Sequence, residues 1–144
     1  MNSFNIEKKI EINAPIEAVF DALTDSIEIV KYYPLSSVES AWSEGGEVLY
    51  KGEVNGAPFT DFGVIEELSK PHIYRYRYWS DNHGTDRTDE NHLTIEYRLS
   101  TTPQGTEVTV AQSNIKSKEM YEMMEGQVWG YLLKSLKTHL ESRT

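Results

Sequence analysis

From Ser37 to Ile115 the chain reads as one extended segment after another, separated by turn residues, before switching to a single long helical period. The segments are SVESAW, EVLYKGEV, FTDFGVIEEL, HIYRYRYW, HLTIEYRLS and TEVTVAQSNI. Gly45-Gly46 parts the first two, and Asn55-Gly56 is a hairpin signal because both residues tolerate positive φ. Pro71 separates the third from the fourth, and Pro103-Gln104-Gly105 turns the chain into the last. SDNHGTDRTDEN, before HLTIEYRLS, is a polar acidic loop that is long for a tight hairpin. The final stretch, SKEMYEMMEGQVWGYLLKSLKTHLESR, places Trp129, Leu133, Leu136 and Leu140 on one helical stripe. Gly126 and Gly130 weaken that helix and are expected to allow a close approach to the sheet or a bend.

The start completes the order. SFNIEKKIEIN alternates as a half-buried strand, and Ile16, Val19, Phe20 and Leu23 fall at helical spacing just after Pro15. A second short helix covers SIEIVKYY and stops at Pro34. Strand, two helices, about six strands and one long helix define an α+β domain, with neighbouring strands antiparallel. The 144 residues are expected to form one domain.

Composition narrows the function. A formal net charge of −9 argues against a general nucleic-acid or anionic-membrane surface, since phosphate binding needs clustered positive charge. The absence of cysteine excludes disulfides, thiolate metal sites and cysteine nucleophiles. MNSFNIEKKIEINAP lacks the apolar core of a signal peptide, and no run reaches membrane-span length, so a cytoplasmic protein is expected. His72, His83, His92 and His139 form no close pair, and His83 with Asp81 and Asp86 lacks the ligand order of a calcium loop. There is no Gly-x-Ser-x-Gly elbow and no phosphate-binding Gly-Lys-Ser/Thr. No catalytic residue, metal or cofactor is therefore assigned.

VFDALTD after APIE, Gly45-Gly46, GVIEELSKPHI, GTEVTV and VWGYLLKSLKTHLE stand in an order that resembles the SRPBCC superfamily, also called START-like or Bet v 1-like. The branch it is most similar to is homologous to the activator of heat shock protein 90 ATPase. The resemblance spans nearly the whole chain. It implies the helix-grip fold, a curved antiparallel sheet around a long C-terminal helix with a cavity between them. It also implies an apolar ligand such as a lipid, sterol, flavonoid or polyketide, with a minority of members acting as cyclases or dehydratases. Three places depart from the family pattern. Tyr32 or Tyr33 stands for its tryptophan, Val128-Trp129-Gly130 for its Gly-Trp, and IYRYRY for a leucine-rich strand.

Nine tyrosines, three tryptophans and four phenylalanines are many for a chain of this size. Trp42, Tyr50, Phe62, Tyr97 and Trp129 sit where sheet or helix should face inward, as core or as cavity wall. Met120, Met123 and Met124 enter the long helix near the cavity mouth that the resemblance implies, where flexible thioethers suit an adaptable lining. Strand HIYRYRYW carries Tyr74, Tyr76 and Tyr78 on one face and Ile73, Arg75, Arg77 and Trp79 on the other. Burial energy favours the tyrosines inside, because a desolvated unpaired charge costs several kcal/mol. The phase of the resemblance, with Ile73 in the place of an inward leucine, favours Arg75 and Arg77 inside, and this is the orientation expected here. Inward arginines would need internal carboxylates or a bound anion.

The ligand-binding set expected from these readings is Trp42, Tyr50, Phe62, Arg75, Arg77, Tyr97, Met120, Met124 and Trp129. The expected partner is a small hydrophobic or amphiphilic molecule with an anionic or strongly hydrogen-bonding head; neither nucleic acid nor membrane insertion is expected. A cyclase or dehydratase working through Asp61, Glu47 or Tyr97 is the first alternative. A module acting on a chaperone ATPase is the second. The eukaryotic activator's additional chaperone-binding domain has no counterpart in these residues, so that reading comes from the family label. A homodimer stays open.

Overall fold

A computed structural model describes residues 4–33, 35–54, 56–80, 88 and 92–142. Alternation over the first segment forms β1 (Phe4–Ile12), followed by α1 (Ile16–Leu23) and α2 (Ser26–Tyr32). Asp25 caps α2 by accepting from the Ile27 and Glu28 amides. Six strands follow: β2 (Ser37–Ser40), β3 (Glu47–Val54), β4 (Ala57–Ser69), β5 (Ile73–Ser80), β6 (Leu93–Thr102) and β7 (Gly105–Ile115). They form a single antiparallel sheet ordered β1-β7-β6-β5-β4-β3-β2, which is the helix-grip arrangement. Most of the acidic loop, with His83, Asp81 and Asp86, lies outside the described residues.

The stretch expected as one terminal helix has three parts. It opens as α3 (Lys118–Met123), widens into a π turn over Met124–Val128, and continues as α4 (Trp129–Glu141). Gly126 falls inside the π turn, where a helix most easily departs from regular winding. Neither glycine allows a close approach to the sheet, because a Cβ built at Gly126 or Gly130 would meet nothing within 4 Å. Trp129, Leu133, Leu136 and Leu140 are buried as the helical stripe requires, joined by Leu132. They pack with Val19, Phe20 and Leu23 of α1 and with inward residues of the sheet such as Ile12, Leu99 and Val108.

Period two sorts β5 the other way from the expected orientation. Tyr74, Tyr76 and Tyr78 are buried, and Arg75 and Arg77 point to the outer face of the sheet. An irregularity between Ile65 and Glu67 on β4 brings both Glu66 and Glu67 toward Arg75. Arg75 meets Glu66 at 3.3 Å, Glu67 at 3.2 Å and Glu96 of β6 at 3.0 Å. The carboxylates that satisfy the guanidinium are thus on the outer surface. Phe62 pairs with Trp79 across β4 and β5, ring centroids 5.9 Å apart, on that same outer face.

Candidate functional site

Between the concave face of the sheet, α2 and the terminal helix lies a cavity of about 460 Å³. Seven tyrosines line it: Tyr32 and Tyr33 at the end of α2, Tyr50 of β3, Tyr74, Tyr76 and Tyr78 of β5, and Tyr97 of β6. Three alternate residues of one strand supply nearly half of this wall. Gly63 leaves them room, because a Cβ there would come within 2.7 Å of Val48 Cγ1 and 3.1 Å of Tyr76 Cδ2. Trp129, Met120, Met123 and Met124 face the tyrosines from the helical side, and Met123, 48% exposed, lies at the rim.

The phenols divide into two groups. Tyr50 and Tyr74 hydroxyls bond each other at 2.8 Å, and Tyr32 donates to the Ala22 carbonyl at 2.9 Å. Trp129 Nε1 donates to Gln112 Oε1 at 2.6 Å, and Gln112 Nε2 donates to the Tyr78 hydroxyl at 3.1 Å. The hydroxyls of Tyr33, Tyr76 and Tyr97 have no protein partner among the described residues. Among the described residues no side-chain nitrogen or oxygen sealed from solvent lacks a partner, so these three hydroxyls reach open cavity space. Burial pushes the ionisation of all seven tyrosines upward, and the Asp61 carboxylate adds to the effect at Tyr33 and Tyr78. The wall is therefore neutral phenol at physiological pH.

Charge on the described lining is of one sign. Asp61 and Glu119 border the cavity, and no lysine, arginine or histidine among its described residues does. No three His, Cys, Asp or Glu among the described residues come together to hold a metal ion.

Of the residues singled out from sequence, Tyr50, Tyr97, Met120, Met124 and Trp129 line this cavity. Four do not. Arg75 and Arg77 face outward for the reasons given above, and Phe62 stacks with Trp79 on the outer face. Trp42 is half-buried outside the lining, edge-on to Tyr74 at 5.8 Å and donating to Ser26 Oγ at 3.1 Å. The tyrosines of β5 line the cavity that the arginines were expected to line. Burial energy was the signal that pointed to them. Gln112 was missed because nothing in TEVTVAQSNI distinguishes a buried amide from a surface one.

Gln112 is fully buried with both ends of its amide engaged. Gln112→Leu leaves the Trp129 indole N–H without its acceptor and is expected to lower stability by about 2 kcal/mol. Adding Trp129→Phe in that background removes the stranded donor and should cost less than it does alone. Urea denaturation of the four proteins of this cycle measures it, and purely additive losses would refute the coupling.

A curved antiparallel sheet closed over an internal cavity by a long C-terminal helix defines a helix-grip protein. The chain belongs to the Activator of Hsp90 ATPase homolog 1-like family, whose model matches residues 13–141, within the SRPBCC superfamily. Among solved structures it is similar to ChR145 from Cytophaga hutchinsonii, with 31% identity and a TM-score of 0.83 over 97% of this chain and 95% of that one. NE0264 from Nitrosomonas europaea shares the fold at 20% identity, with a TM-score of 0.81 over 96% and 95% of the two chains. SA2116 from Staphylococcus aureus, a protein of unknown function, does so at 14% identity, with a TM-score of 0.81 over 99% and 96%. No curated protein matches the chain.

Proposed function

We propose that the protein binds a small, largely apolar molecule in the tyrosine-lined cavity. The observation that carries this reading is a volume of about 460 Å³ into which the Tyr33, Tyr76 and Tyr97 hydroxyls project without protein partners among the described residues. The volume falls in the usual range for small-molecule sites, and apolar walls with a few polar groups are typical of them. Partner-free phenols in a packed wall are most simply completed by a ligand, or by water that a ligand displaces. An anionic head is dropped from the expectation, since the arginines that would receive it lie on the other face of the sheet.

The test is titration with 2-naphthol, a neutral aromatic with one hydroxyl, followed by calorimetry. Saturable one-site binding is expected. Tyr97→Phe should weaken it about 5- to 10-fold, the size of one hydrogen bond. Leu132→Trp, which grows a ring into the cavity wall, should block it. Absence of binding, or unchanged binding to the Leu132→Trp protein, would refute the proposal.

A cyclase or dehydratase is a second reading, favoured by Asp61 sharing the cavity with Tyr33 and Tyr78. It requires turnover of a bound polyketone that Asp61→Asn abolishes while binding persists. A chaperone-directed role has less behind it. The large exposed apolar residues among those described, Ile27, Val64, Met123 and Tyr131, fall on four separate elements.

A further inference from the structure

We infer that the cavity selects a ligand whose polar atoms accept hydrogen bonds and donate none, a ketone carried on an apolar ring system. This rests on the ligand-binding reading above and gives that ligand its polarity. The free hydroxyls of the wall supply the reason. Those of Tyr33, Tyr76 and Tyr97 have no partner among the described residues. The bond between Tyr50 and Tyr74 uses one proton, so one of that pair also keeps an O–H without an acceptor among the described residues. All five phenols line the cavity, and the protons they leave over point to an acceptor in whatever fills it.

Tyr76 and Tyr97, only 7% and 8% exposed, bring two of these donors in from adjacent strands. Tyr76 of β5 pairs with Ile95 of β6, which makes Tyr97 its diagonal neighbour on the same face of the sheet. One small molecule with an acceptor at its end can therefore meet both. Burial keeps both rings un-ionised, so the donors persist across physiological pH. Two strong acceptors beside the wall are already engaged. Gln112 Oε1 receives the Trp129 indole N–H at 2.6 Å, and the Ala22 carbonyl receives the Tyr32 hydroxyl at 2.9 Å.

Acceptor and donor ligands therefore meet different costs at these phenols. A ketone oxygen gives up water and takes phenol O–H bonds in exchange, and each such bond also completes a hydroxyl of the wall. An N–H or O–H on the ligand loses the same water but meets phenol oxygens, whose lone pairs are drawn into the ring and accept weakly. A buried donor left poorly matched bears most of its desolvation penalty. The apolar ring system packs against Trp129, the methionines of α3 and the tyrosine faces in either case, so the polar atom decides the difference.

Three tricyclic probes of nearly one shape test this on the full-length protein. At the same ring position 9-fluorenone carries a carbonyl, fluorene a methylene and carbazole an N–H. Equilibrium dialysis should show 9-fluorenone bound about tenfold more tightly than carbazole, a molecule of similar hydrophobicity. Tyr76→Phe and Tyr97→Phe should each weaken the ketone about 5-fold and leave fluorene unchanged, which also shows that the variants fold. The infrared C=O stretch of bound 9-fluorenone should fall in frequency and return toward its apolar-solvent value in the double variant. An unshifted band would overturn the inference, as would ketone binding that survives Leu132→Trp and so lies outside the cavity. Carbazole binding as tightly as 9-fluorenone would mean that the wall receives an N–H equally well; the selection then falls while ligand binding stands. If 2-naphthol and all three probes fail to bind, the ligand-binding reading falls, and this inference with it.

Discussion

Above pH 10 the protein is expected to unfold in one steep step, complete by about pH 11.5. Tyr50, Tyr74, Tyr76, Tyr78 and Tyr97 are all at most 8% exposed, and burial raises the ionisation of each above the ordinary value of 10.0. Below pH 10 these phenols are protonated in both folded and unfolded chains and contribute no pH dependence. Above it the unfolded chain releases protons that the folded chain retains, so stability falls as pH rises. Each phenol contributes about 1.4 kcal/mol per pH unit, and five together roughly 7 kcal/mol per unit. That slope exhausts a typical stability of about 5–15 kcal/mol within one or two units. Absorbance at 295 nm and far-UV ellipticity, followed together, give the measurement. The tyrosinate signal of the cavity residues should rise with the loss of ellipticity, and Tyr76→Phe should make the step shallower by one proton. Ionisation of the cavity tyrosines one after another with ellipticity intact would show that the wall is open to hydroxide.

Gly105→Ala is expected to destabilise the protein by about 4 kcal/mol, above the ~1–3 kcal/mol of ordinary overpacking. A Cβ at this position would overlap the Ile12 carbonyl oxygen and lie 2.9 Å from the Ala14 nitrogen. These are main-chain atoms, which cannot turn aside as a side-chain tip can. They belong to the exit of β1, which the neighbouring Thr106 hydroxyl also ties down by donating to the Ala14 carbonyl at 2.8 Å. Guanidinium denaturation reads the loss directly. Gly56→Ala is the informative comparison, because a Cβ there meets nothing within 4 Å and only its φ of +82° opposes the change. Equal losses at the two positions would mean that backbone torsion, and not the approach of β1, accounts for Gly105.

The role of Gly105 shows how far the linear pattern reaches. Pro103-Gln104-Gly105 reads correctly as a turn between two strands, and β6 and β7 do pair through it. The contact that makes glycine necessary is with residues about ninety positions earlier, and no local motif encodes it. Gln112 is similar. Its alternation places it on a strand, while its partners Trp129 and Tyr78 meet only after the terminal helix has docked. The apolar stripe of that helix was legible because Trp129, Leu133, Leu136 and Leu140 repeat within one element. The π turn was not, because a wider turn leaves the same residue types in the same order.

By itself the sequence determined the order of the elements, the antiparallel sheet and the grouping of side chains by face. All of these follow from periods of 2 and 3.6 and from turn chemistry within a few residues. Tyr74, Tyr76 and Tyr78 had to share one side of β5, and Arg75 and Arg77 the other. Burial energy and the phase of the family resemblance disagreed on which side faces in, and the tertiary structure decided it. Glu66 and Glu67 of β4 and Glu96 of β6 gather around Arg75 on the outer surface, so its charge stays solvated and paired. The phenols, neutral and able to hydrogen-bond one another, are far cheaper to bury than a guanidinium. Alternation constrains relative orientation within a strand, but the energy that selects the absolute orientation comes from neighbouring strands distant in the chain.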